Sequence, residues 1–525
     1  MKRITFILAL LVFGSGLVYG QAGYLDKTFG DEGVVILSPI DSLEELHTVR
    51  LLPDGKILLL GYSIRESQYT NIVLRCLHPD GSPDTSYADK GVKLFPRFGP
   101  NGERRYLTRL LVYPDSRVLV YGYNNPLVDP GHPMITRLLP NGKVDSSFGV
   151  NGVYLGTGDS VSSEALFLSL ENDGTLLALG WRGDTGYYSP AISRISSSGK
   201  LLSSIEVNVH GQSHDINEYF SILHAGIDSS GMCVFAATPN KDGTLYNIVL
   251  LKCDKQGVLD PGFGENGRMS AAITDHQVTL PSVKVLPDGR TLCLMTIVLN
   301  NGLQIFRLVK FTNQGEYDRS FGDDGIVTVE GPTTTYQATN LSVSSDGRIA
   351  VSASIAESGM FPAASFHFRP DGRPDSIYGQ EVRFAAKNEK SMQYANDIIM
   401  QPDGKYLVLG LMIAYQLGTR NPLLYRITAP RSGVSSVKIV ENHISLHPTP
   451  SFDNCTVTYT LPASSQSTIT LRDESGREVK TFAQGEYHSV GEHKEELDLH
   501  GLASGVYFLS IEHDGKTETA KLIKQ

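Results

Sequence analysis

Aspartate recurs at a near-constant interval through most of the chain, and carboxylates are the side chains that bind Ca²⁺ and exchange protons in catalysis. Each belongs to the pattern Asp-x-x-Phe-Gly-x-x-Gly or a variant, and successive copies stand 58, 61, 115, 58 and 57 residues apart. No Asp-x-Asp-x-Asp-Gly ladder with a distal glutamate is present. We therefore assign these carboxylates to turns, and we predict neither a metal site nor a cofactor. They are Asp26, Asp84, Asp145, Asp260, Asp318 and Asp375.

An aromatic residue stands three positions after each of these aspartates. Exposed rings would form a stacking surface for a ligand, whereas buried rings would pack one repeat against the next. The fixed position beside a turn favours packing between repeats. The aromatic residues are Phe29, Tyr87, Phe148, Phe263, Phe321 and Tyr378.

The doubled interval of 115 residues predicts a hidden copy midway. There Gly199–Glu206 matches Gly142–Gly149, with Leu202 in place of the aspartate and Ile205 in place of the phenylalanine. The pattern therefore occurs seven times, and its fourth copy is degenerate.

A second turn marker, Pro-Asp-Gly or a variant, alternates with the first and also occurs seven times, from Asp54 to Asp403. Asp-Gly between short apolar runs is a strong signal for a β-hairpin. Each unit of about 58 residues holds four such runs, which is typical of a propeller blade. The sequence therefore predicts an all-β chain with a seven-bladed β-propeller over residues 21–430.

The seventh unit is incomplete. It ends near Thr428 without the Asp-x-x-Phe-Gly pattern and without a fourth strand, and the isolated first copy, Gly23–Leu37, contains both. A ring whose first and last segments pair has no open sheet edge. We therefore predict that the N-terminal strand closes the last blade.

The unit resembles the bacterial delta-60 repeat, a family of predicted β-propellers whose units carry Leu-Asp-x-x-Phe-Gly-x-x-Gly and Pro-Asp-Gly-Lys. The resemblance extends over Gly23–Thr428, with local departures at Ala88, Val382 and the degenerate fourth copy. It implies a propeller fold, and it brings no established activity with it.

The sequence offers little support for catalysis. It contains no nucleophile-elbow, zinc-protease, P-loop or dinucleotide-binding pattern. The formal net charge of −10 also argues against nucleic acid as a partner. A glycan hydrolase or lyase with carboxylates at the propeller channel remains the alternative, because spacing does not show which side chains converge there.

The connections between the second and third strands vary most among the units, and symmetry places them on one face. Aromatic residues on variable loops over a rigid scaffold are typical of recognition surfaces. Ordinary loop composition with partly covered rings is the competing explanation. The ligand, a glycan or a protein, is not identified by the sequence. The candidate contacts are Tyr62, Tyr123, Trp181, Tyr187, Tyr188, Tyr246, Phe361 and Tyr415.

The N-terminus has the features of a secretory signal peptide. Lys2 and Arg3 precede an apolar run, Ile4–Val18, and small residues follow it up to Gly20. We predict that residues 1–20 are removed after they direct the chain to the periplasm.

The five cysteines are scattered and form no paired spacing. A disulfide framework is therefore not expected. One pair, Cys233 with Cys253, is left open.

The C-terminal part differs from the repeats. Residues 431–443 are predicted to be a linker, and residues 444–525 show short strands typical of a small Ig-like β-sandwich. Motifs including Leu502-Ala-Ser-Gly-Val-Tyr-Phe508 resemble the type A sorting domain of the type IX secretion system. The resemblance implies export through that machinery, with removal of the domain and attachment to surface lipopolysaccharide or release. Its motif residues are Pro448, Pro450, Gly476, Gly505, Tyr507, Lys521 and Lys524.

These features predict an extracellular or outer-surface protein that binds a ligand without catalysing a reaction. A purely structural surface component is a further alternative. Neither the ligand nor the oligomeric state follows from the sequence.

Overall fold

The computed structural model describes residues 25–525 apart from 66–67, 99–102, 126–130, 157–161, 185–186, 208–219, 240–246, 273–276, 332–333, 358–360, 376, 379–380, 385–390, 415–418, 429–443, 449–450, 462–464, 474–476, 490 and 514–515. The predicted signal peptide and linker lie outside these described residues. The described residues contain strands and turns and no helix. Within them, no helix is therefore available to cross a membrane. The chain divides into two compact units, Met1–Pro430 and Arg431–Gln525.

The first unit is built from short strands joined by turns. They are β1 Val34–Ile36, β2 Leu43–Leu51, β3 Ile57–Arg65, β4 Gln68–Leu77, β5 Val92–Pro96, β6 Arg104–Val112, β7 Val118–Asn125, β8 His132–Leu138, β9 Val153–Leu155, β10 Ser162–Leu170, β11 Leu176–Asp184, β12 Tyr187–Ile195, β13 Leu201–Glu206, β14 Phe220–Ile227, β15 Cys233–Pro239, β16 Asn247–Cys253, β17 Arg268–Ala272, β18 Gln277–Val285, β19 Thr291–Val298, β20 Gln304–Phe311, β21 Ile326–Val329, β22 Thr335–Val343, β23 Ile349–Ala356, β24 Ala363–Phe368, β25 Glu381–Phe384, β26 Ser391–Met400, β27 Tyr406–Ala414 and β28 Thr419–Ile427.

These strands form seven four-stranded antiparallel sheets, which are the blades of a β-propeller. Six blades each take four consecutive strands, from β2–β5 through β22–β25. The seventh blade combines β26, β27, β28 and β1.

The blades form a closed ring. The first strand of each blade contacts the next blade, and β26 of the seventh blade contacts β2 of the first. These first strands are therefore the inner strands, which surround the central channel. Buried apolar side chains fill the spaces between neighbouring blades. In one such cluster, Leu58 and Leu74 of the first blade join Leu107 of the second.

The N-terminal strand closes the seventh blade, because β1 pairs antiparallel with β28. Arg426 on β28 fixes the turn before β1: its Nε donates to the Asp26 carboxylate at 2.9 Å, and its guanidinium lies 4.5 Å from the centre of the Phe29 ring. Phe29 is fully buried, and Arg426 also donates to the backbone carbonyl of Pro79 in the first blade. The predicted fold, including its closure by the N-terminal strand, is confirmed.

We call this contact of the Arg426 cation with the Asp26 carboxylate and the Phe29 ring a joint. The Asp26 carboxylate is ionised in it. Burial by itself raises its pKa, but hydrogen bonds from Thr28 and Lys405, together with the charge of Arg426, outweigh burial and lower the pKa to about 2. Lys405 lies 3.0 Å from the carboxylate. The N-terminal strand is thus held by two cations as well as by sheet pairing.

The same joint recurs between other blades. Arg137 Nε donates to Asp145 at 2.7 Å, and its guanidinium lies 4.6 Å from the centre of the Phe148 ring. Further copies place Lys252 by Asp260 and Phe263, and Lys310 by Asp318 and Phe321.

The aromatic ring of each joint packs against the following blade. The ring of Phe29 lies where a Cβ on Gly81 would be, and Phe148, Phe263 and Phe321 approach the equivalent glycines. Gly81 has a positive φ of 90°, which favours glycine in any case. The repeat aspartates therefore hold turns, and the aromatic residues fill the junctions between blades.

Every inner strand has a register irregularity at the same position. A bulge of this kind redirects side chains, and several of those beside it bond to a neighbouring blade. Ser282 donates to Asn340 at 2.7 Å, and Asn340 donates to Asp397 at 2.5 Å. Asp397 accepts the backbone N–H of Val49 at 2.8 Å. This chain of bonds joins blades five, six, seven and one around the channel.

The second unit is a small β-sandwich. Its strands are β29 Ser445–His447, β30 Asn454–Leu461, β31 Ser465–Asp473, β32 Glu478–His488, β33 Gly491–Asp498, β34 Gly505–His513 and β35 Lys516–Lys524. One sheet has the order β29-β30-β33 and the other β32-β31-β34-β35. Val457, Ile469, Leu471 and Leu509 are fully buried in the single core between them. This agrees with the predicted sandwich.

All five cysteines are buried free thiols. Cys233 and Cys253 stand opposite each other on β15 and β16 without forming a disulfide. The pair left open by the sequence is therefore reduced in this structure.

We predict that Phe29→Ala destabilises the propeller by about 3–5 kcal/mol, because it leaves a cavity at the closing joint and removes the ring face beneath Arg426. Differential scanning calorimetry of the propeller transition measures the change. Ile36→Ala on β1 is the control, since Ile36 is 52% exposed. Equal melting of the two variants would contradict the closing role of Phe29.

Candidate functional site: a tyrosine and arginine cluster on the loop face

The two ends of the blades carry different connections. Because the strands are antiparallel, the connections between second and third strands lie at one end, together with the crossovers from each blade to the next. We call this end the loop face. The Pro-Asp-Gly turns between first and second strands lie at the opposite end, which we call the turn face.

Most of the predicted aromatic contacts lie in strands rather than in loops. Tyr62, Tyr123 and Trp181 are at the loop-face ends of β3, β7 and β11, and Tyr187 and Tyr188 begin β12. The hairpins are longer than the sequence indicated, because aromatic residues favour strands and extend the pairing. Phe361 precedes β24, whereas Tyr246 and Tyr415 lie outside the described residues.

Arg97 organises a cluster of tyrosines between the first two blades. It follows β5 in the crossover to the second blade, and its guanidinium lies 4.6 Å from the ring centre of Tyr69, 4.9 Å from that of Tyr106 and 5.2 Å from that of Tyr62. Tyr123 stacks on Tyr106, with ring centres 4.7 Å apart and planes inclined by 12°. Three rings from two blades therefore contact one cation, and a fourth ring supports them.

The backbone holds Arg97 in place. Its N–H donates to the carbonyl of Thr70 at 3.2 Å, and its carbonyl accepts from the N–H of Arg105 at 2.8 Å. Its Nε is buried without a hydrogen-bond partner. A planar cation between aromatic faces is stabilised by their quadrupoles, so ring contact takes the place of that bond.

The cluster combines a buried floor with an exposed rim. Tyr62 is 8% exposed and Tyr69 is 39% exposed. Burial raises the pKa of Tyr62 to about 12, against the opposing effect of Arg97, so its hydroxyl is protonated at any physiological pH. The Tyr69 hydroxyl reaches Glu45 at 3.5 Å, and Glu45 forms an ion pair with Arg420 of the seventh blade. The rim thus offers a ring face beside fixed charges and hydrogen-bonding groups.

Sequence reasoning identified Tyr62 and Tyr123 and missed Arg97 and Tyr106. The missed residues belong to the crossover between blades and to the inner strand after it. The repeat period places that crossover on the same face as the connections between second and third strands. The sequence therefore contained enough information to include the crossover residues among the candidates.

The remaining described candidates lie elsewhere. Trp181 is half-buried and packs against the core cluster between the third and fourth blades. Phe361 is half-buried, and its carbonyl accepts the N–H of Gln393 at 2.8 Å.

The acids described on the inner strands are bound by structural partners. Among the described inner-strand residues, Asp397 is the acid at the channel bulge, and it accepts three hydrogen bonds and pairs with Arg50 at 3.0 Å. Glu44 and Glu45 stand at the start of β2 and are bound by Arg75 and Arg420. Each of these acids is therefore occupied by a structural partner.

The repeat aspartates and the turn markers form no metal centre within the described ranges. Asp54 Oδ1 accepts the N–H of Lys56 at 3.2 Å, and Asp403 Oδ1 accepts that of Lys405 at 3.2 Å. These bonds stabilise the Pro-Asp-Gly turns.

The degenerate fourth copy changes the turn face locally. Leu202 replaces the motif aspartate in this copy, and Arg194 pairs instead with Glu171 at 2.9 Å. Glu171 also binds Lys255 of the next blade at 2.6 Å. An open cavity of about 520 Å³ lies here between the third and fourth blades. Its lining also includes Asp173 and Asp228, so the cavity wall carries charges of both signs.

In the second unit, the sorting-motif residues lie mostly on the last hairpin. Gly505 begins β34, the Tyr507 hydroxyl donates to the carbonyl of Ala503 at 2.8 Å, and Lys524 reaches Asp453 at 3.4 Å. Lys521 also lies on β35, and Pro448 follows β29, whereas Pro450 and Gly476 fall outside the described residues.

Two family models match parts of the chain. Residues 445–525 match the secretion system C-terminal sorting domain, and residues 52–87 match the domain of unknown function DUF5122, a beta-propeller. Both resemblances found in the sequence, to a sorting domain and to a delta-60-type propeller repeat, are confirmed. The sorting domain implies export by the type IX secretion system to the cell exterior or surface.

Solved structures with a similar fold share little sequence. A PL25 ulvan lyase bound to -[GlcA(1-4)Rha3S]- has 8% identity and a TM-score of 0.43, covering 75% of this chain and 96% of that one. The polysaccharide lyase Uly1 has 11% identity and a TM-score of 0.42, with 74% and 90% covered. A protein of unknown function from Dyadobacter fermentans has 11% identity and a TM-score of 0.39, with 76% and 98% covered. A search of curated proteins finds no match.

We predict that Trp181 is shielded from solvent quenchers. It is the one tryptophan of the sequence, so intrinsic fluorescence excited at the indole band reports on this site. Because the ring packs against the core, acrylamide should quench the native protein much less than the urea-unfolded chain. Equal quenching in both states would show a free ring and contradict the packing described.

Proposed function

We propose that the protein is a secreted or cell-surface binding propeller whose ligand contacts the tyrosine cluster on the loop face. The observation that carries this proposal is the set of four tyrosines held around Arg97 by two blades. The rings are fixed before any ligand arrives, so binding them costs little conformational entropy. Their partly exposed rim lies on the face that carries the variable connections.

A carbohydrate is the ligand class that this surface fits best. A sugar presents an apolar face that stacks on an aromatic ring and hydroxyl groups that need nearby donors and acceptors. Tyr69 supplies the exposed ring, while the Arg420 side chain, which is 40% exposed, supplies hydrogen-bond donors at the same rim. A protein that inserts an aromatic or cationic side chain is the second candidate.

Export supports an extracellular ligand. The C-terminal unit directs the chain to the type IX machinery, and we infer that residues 1–20 act first as the signal peptide for the periplasm. Removal of residues 444–525 would then leave the propeller attached to surface lipopolysaccharide or released.

A hydrolase or lyase is less well supported. Catalysis of glycoside cleavage by two carboxylates requires an acid and a base that face one substrate. Glu44, Glu45 and Asp397 are instead held by arginines or backbone amides. If the protein has a purely structural surface role, the tyrosine rim has no ligand. A screen that finds no binding would indicate that role.

We predict that Tyr69→Ala weakens glycan binding by roughly tenfold or more, since one stacking ring contributes about 1–3 kcal/mol at a binding surface. The full-length protein is screened on a glycan array, and the affinity for the best hit is then measured by calorimetry. Tyr487→Ala is the matched control, because Tyr487 is 72% exposed on the second unit. Equal affinity of both variants and the native protein would overturn the proposed contact surface.

We predict that deletion of residues 444–525 retains the protein in the periplasm, because the sorting domain is the part read by the secretion machinery. Cell fractionation with a propeller-specific antibody measures the distribution. Full export of the truncated chain would contradict this role. A chain that lacks residues 2–20 should instead remain in the cytoplasm.

A further inference from the structure

The guanidinium of Arg97 has a buried side and an open side. Its Nε is buried without a hydrogen-bond partner, whereas the residue as a whole is half-buried. The two Nη groups donate to no described residue and, unlike Nε, are not enclosed, so they reach solvent at the rim of the tyrosine cluster. Two Nη groups at the end of a guanidinium are parallel donors, and they match the spacing of two oxygens on one anionic group.

No carboxylate of the described residues pairs with Arg97. The acids on the connections and strand ends beside it are each bound by another arginine. These pairs are Glu44 with Arg75 at 2.7 Å, Glu45 with Arg420, Asp41 with Arg65 at 2.7 Å and Glu103 with Arg105 at 3.4 Å. In the described part of the chain, the charge of Arg97 therefore has no counter-charge.

Arg104 adds a second positive charge beside the first. It begins β6, and its backbone bridges to that of Phe98, the residue after Arg97. Side chains alternate along a strand, so Arg104 lies on the same face of β6 as Tyr106, whose ring contacts the Arg97 guanidinium at 4.9 Å. Arg104 is exposed and forms no ion pair with a described residue. The crossover thus presents two arginines at the rim that no described acid neutralises.

The tyrosine rings stabilise the charge of Arg97 without neutralising it. A ring face attracts a cation through its quadrupole, and the cation keeps its charge toward solvent. Protein on the ring side also weakens the screening by water, so an anion on the open side is attracted more strongly than it would be at a fully solvated arginine. The cluster therefore favours a ligand that combines an apolar face with negatively charged oxygens.

We propose that the ligand of the tyrosine cluster is an acidic saccharide, whose carboxylate or sulfate ester accepts hydrogen bonds from the two Nη groups of Arg97. This inference rests on the proposed function, because it specifies the ligand of the same surface. The Arg97 guanidinium lies 4.6 Å from the centre of the Tyr69 ring, so one sugar residue can contact the exposed ring and place its acidic group at the arginine. Arg104 attracts the same group from the neighbouring strand.

A glycan array that carries neutral, uronate-containing and sulfated glycans separates this inference from the function on which it rests. We expect the full-length protein to bind acidic glycans in preference to neutral ones. Binding confined to neutral glycans would leave the proposed function standing and overturn the acidic ligand. Absence of binding to every glycan would overturn both.

The array also distinguishes the two sources of the anionic group. Hits among the uronate-containing glycans that carry no sulfate indicate a carboxylate, and hits among the sulfated glycans that carry no uronate indicate a sulfate ester. Either result supports the proposed contact, since both groups present two oxygens to Arg97.

A matched pair of ligands tests the role of Arg97. The best acidic hit is compared by calorimetry with its uncharged form, made by reducing the uronate to the parent hexose or by removing the sulfate. The native protein should bind the uncharged form about tenfold more weakly, the effect of losing one charged hydrogen bond. Arg97→Met removes the charge and keeps the length of the side chain, so it should bind both forms about equally. An undiminished preference for the acidic form in Arg97→Met would overturn the assignment to Arg97.

Arg104→Gln provides a test that leaves the tyrosine contacts of Arg97 in place, since Arg104 is exposed. It should reduce the preference for the acidic form while the affinity for the uncharged form stays at the native value. Arg373→Gln is the matched control, because Arg373 is 79% exposed on the turn face of the sixth blade, and its preference should equal that of the native protein. A preference in Arg104→Gln equal to that in Arg373→Gln would contradict the placement of the acidic group between Arg97 and Arg104.

Discussion

The ring depends on a joint in which one cation bridges a carboxylate, an aromatic face and the backbone of the next blade. In the closing copy, Arg426 performs all three functions with Asp26, Phe29 and the carbonyl of Pro79. An isolated buried charge is unfavourable, but here the ion pair and the backbone acceptor satisfy the guanidinium. Blades two, four, five and seven are thereby fixed to the next blade at the turn face, while the bulged inner strands are bonded around the channel.

This division leaves the loop face available for recognition. Structural bonds occupy the turn face and the bulges, whereas the second-to-third connections vary most among the units. Arg97 and Tyr106 come from a crossover between blades and its inner strand, and Tyr62 and Tyr69 from a hairpin at the same end. A rigid scaffold thus fixes an aromatic surface that no single blade contains.

The period of the repeat was sufficient to predict the fold, because the hairpin turns and the buried aromatic residues recur in phase. It was also sufficient to predict that Gly23–Leu37 completes the seventh blade, since that unit lacks its own fourth strand. The site was only partly predictable. Tyr62 and Tyr123 follow from the varying hairpins, whereas the contact of Arg97 with three rings depends on side-chain directions from two blades. The bonds of Asp397 to two neighbouring blades were likewise hidden, because the bulge beside it leaves no mark in the spacing of the motifs.

Closure of the ring is the condition on which the proposed binding surface depends, and hydrogen exchange measures it directly. The N–H of Asp26 donates to the carbonyl of Arg426 at 2.8 Å, and the N–H of Leu37 donates to that of Pro422 at 2.9 Å. Mass spectrometry of exchange in the native protein should show peptides from residues 25–37 protected as strongly as those from β5, the fourth strand of the first blade. Exchange of residues 25–37 at the rate of an unstructured segment would contradict a ring closed by its N-terminal strand.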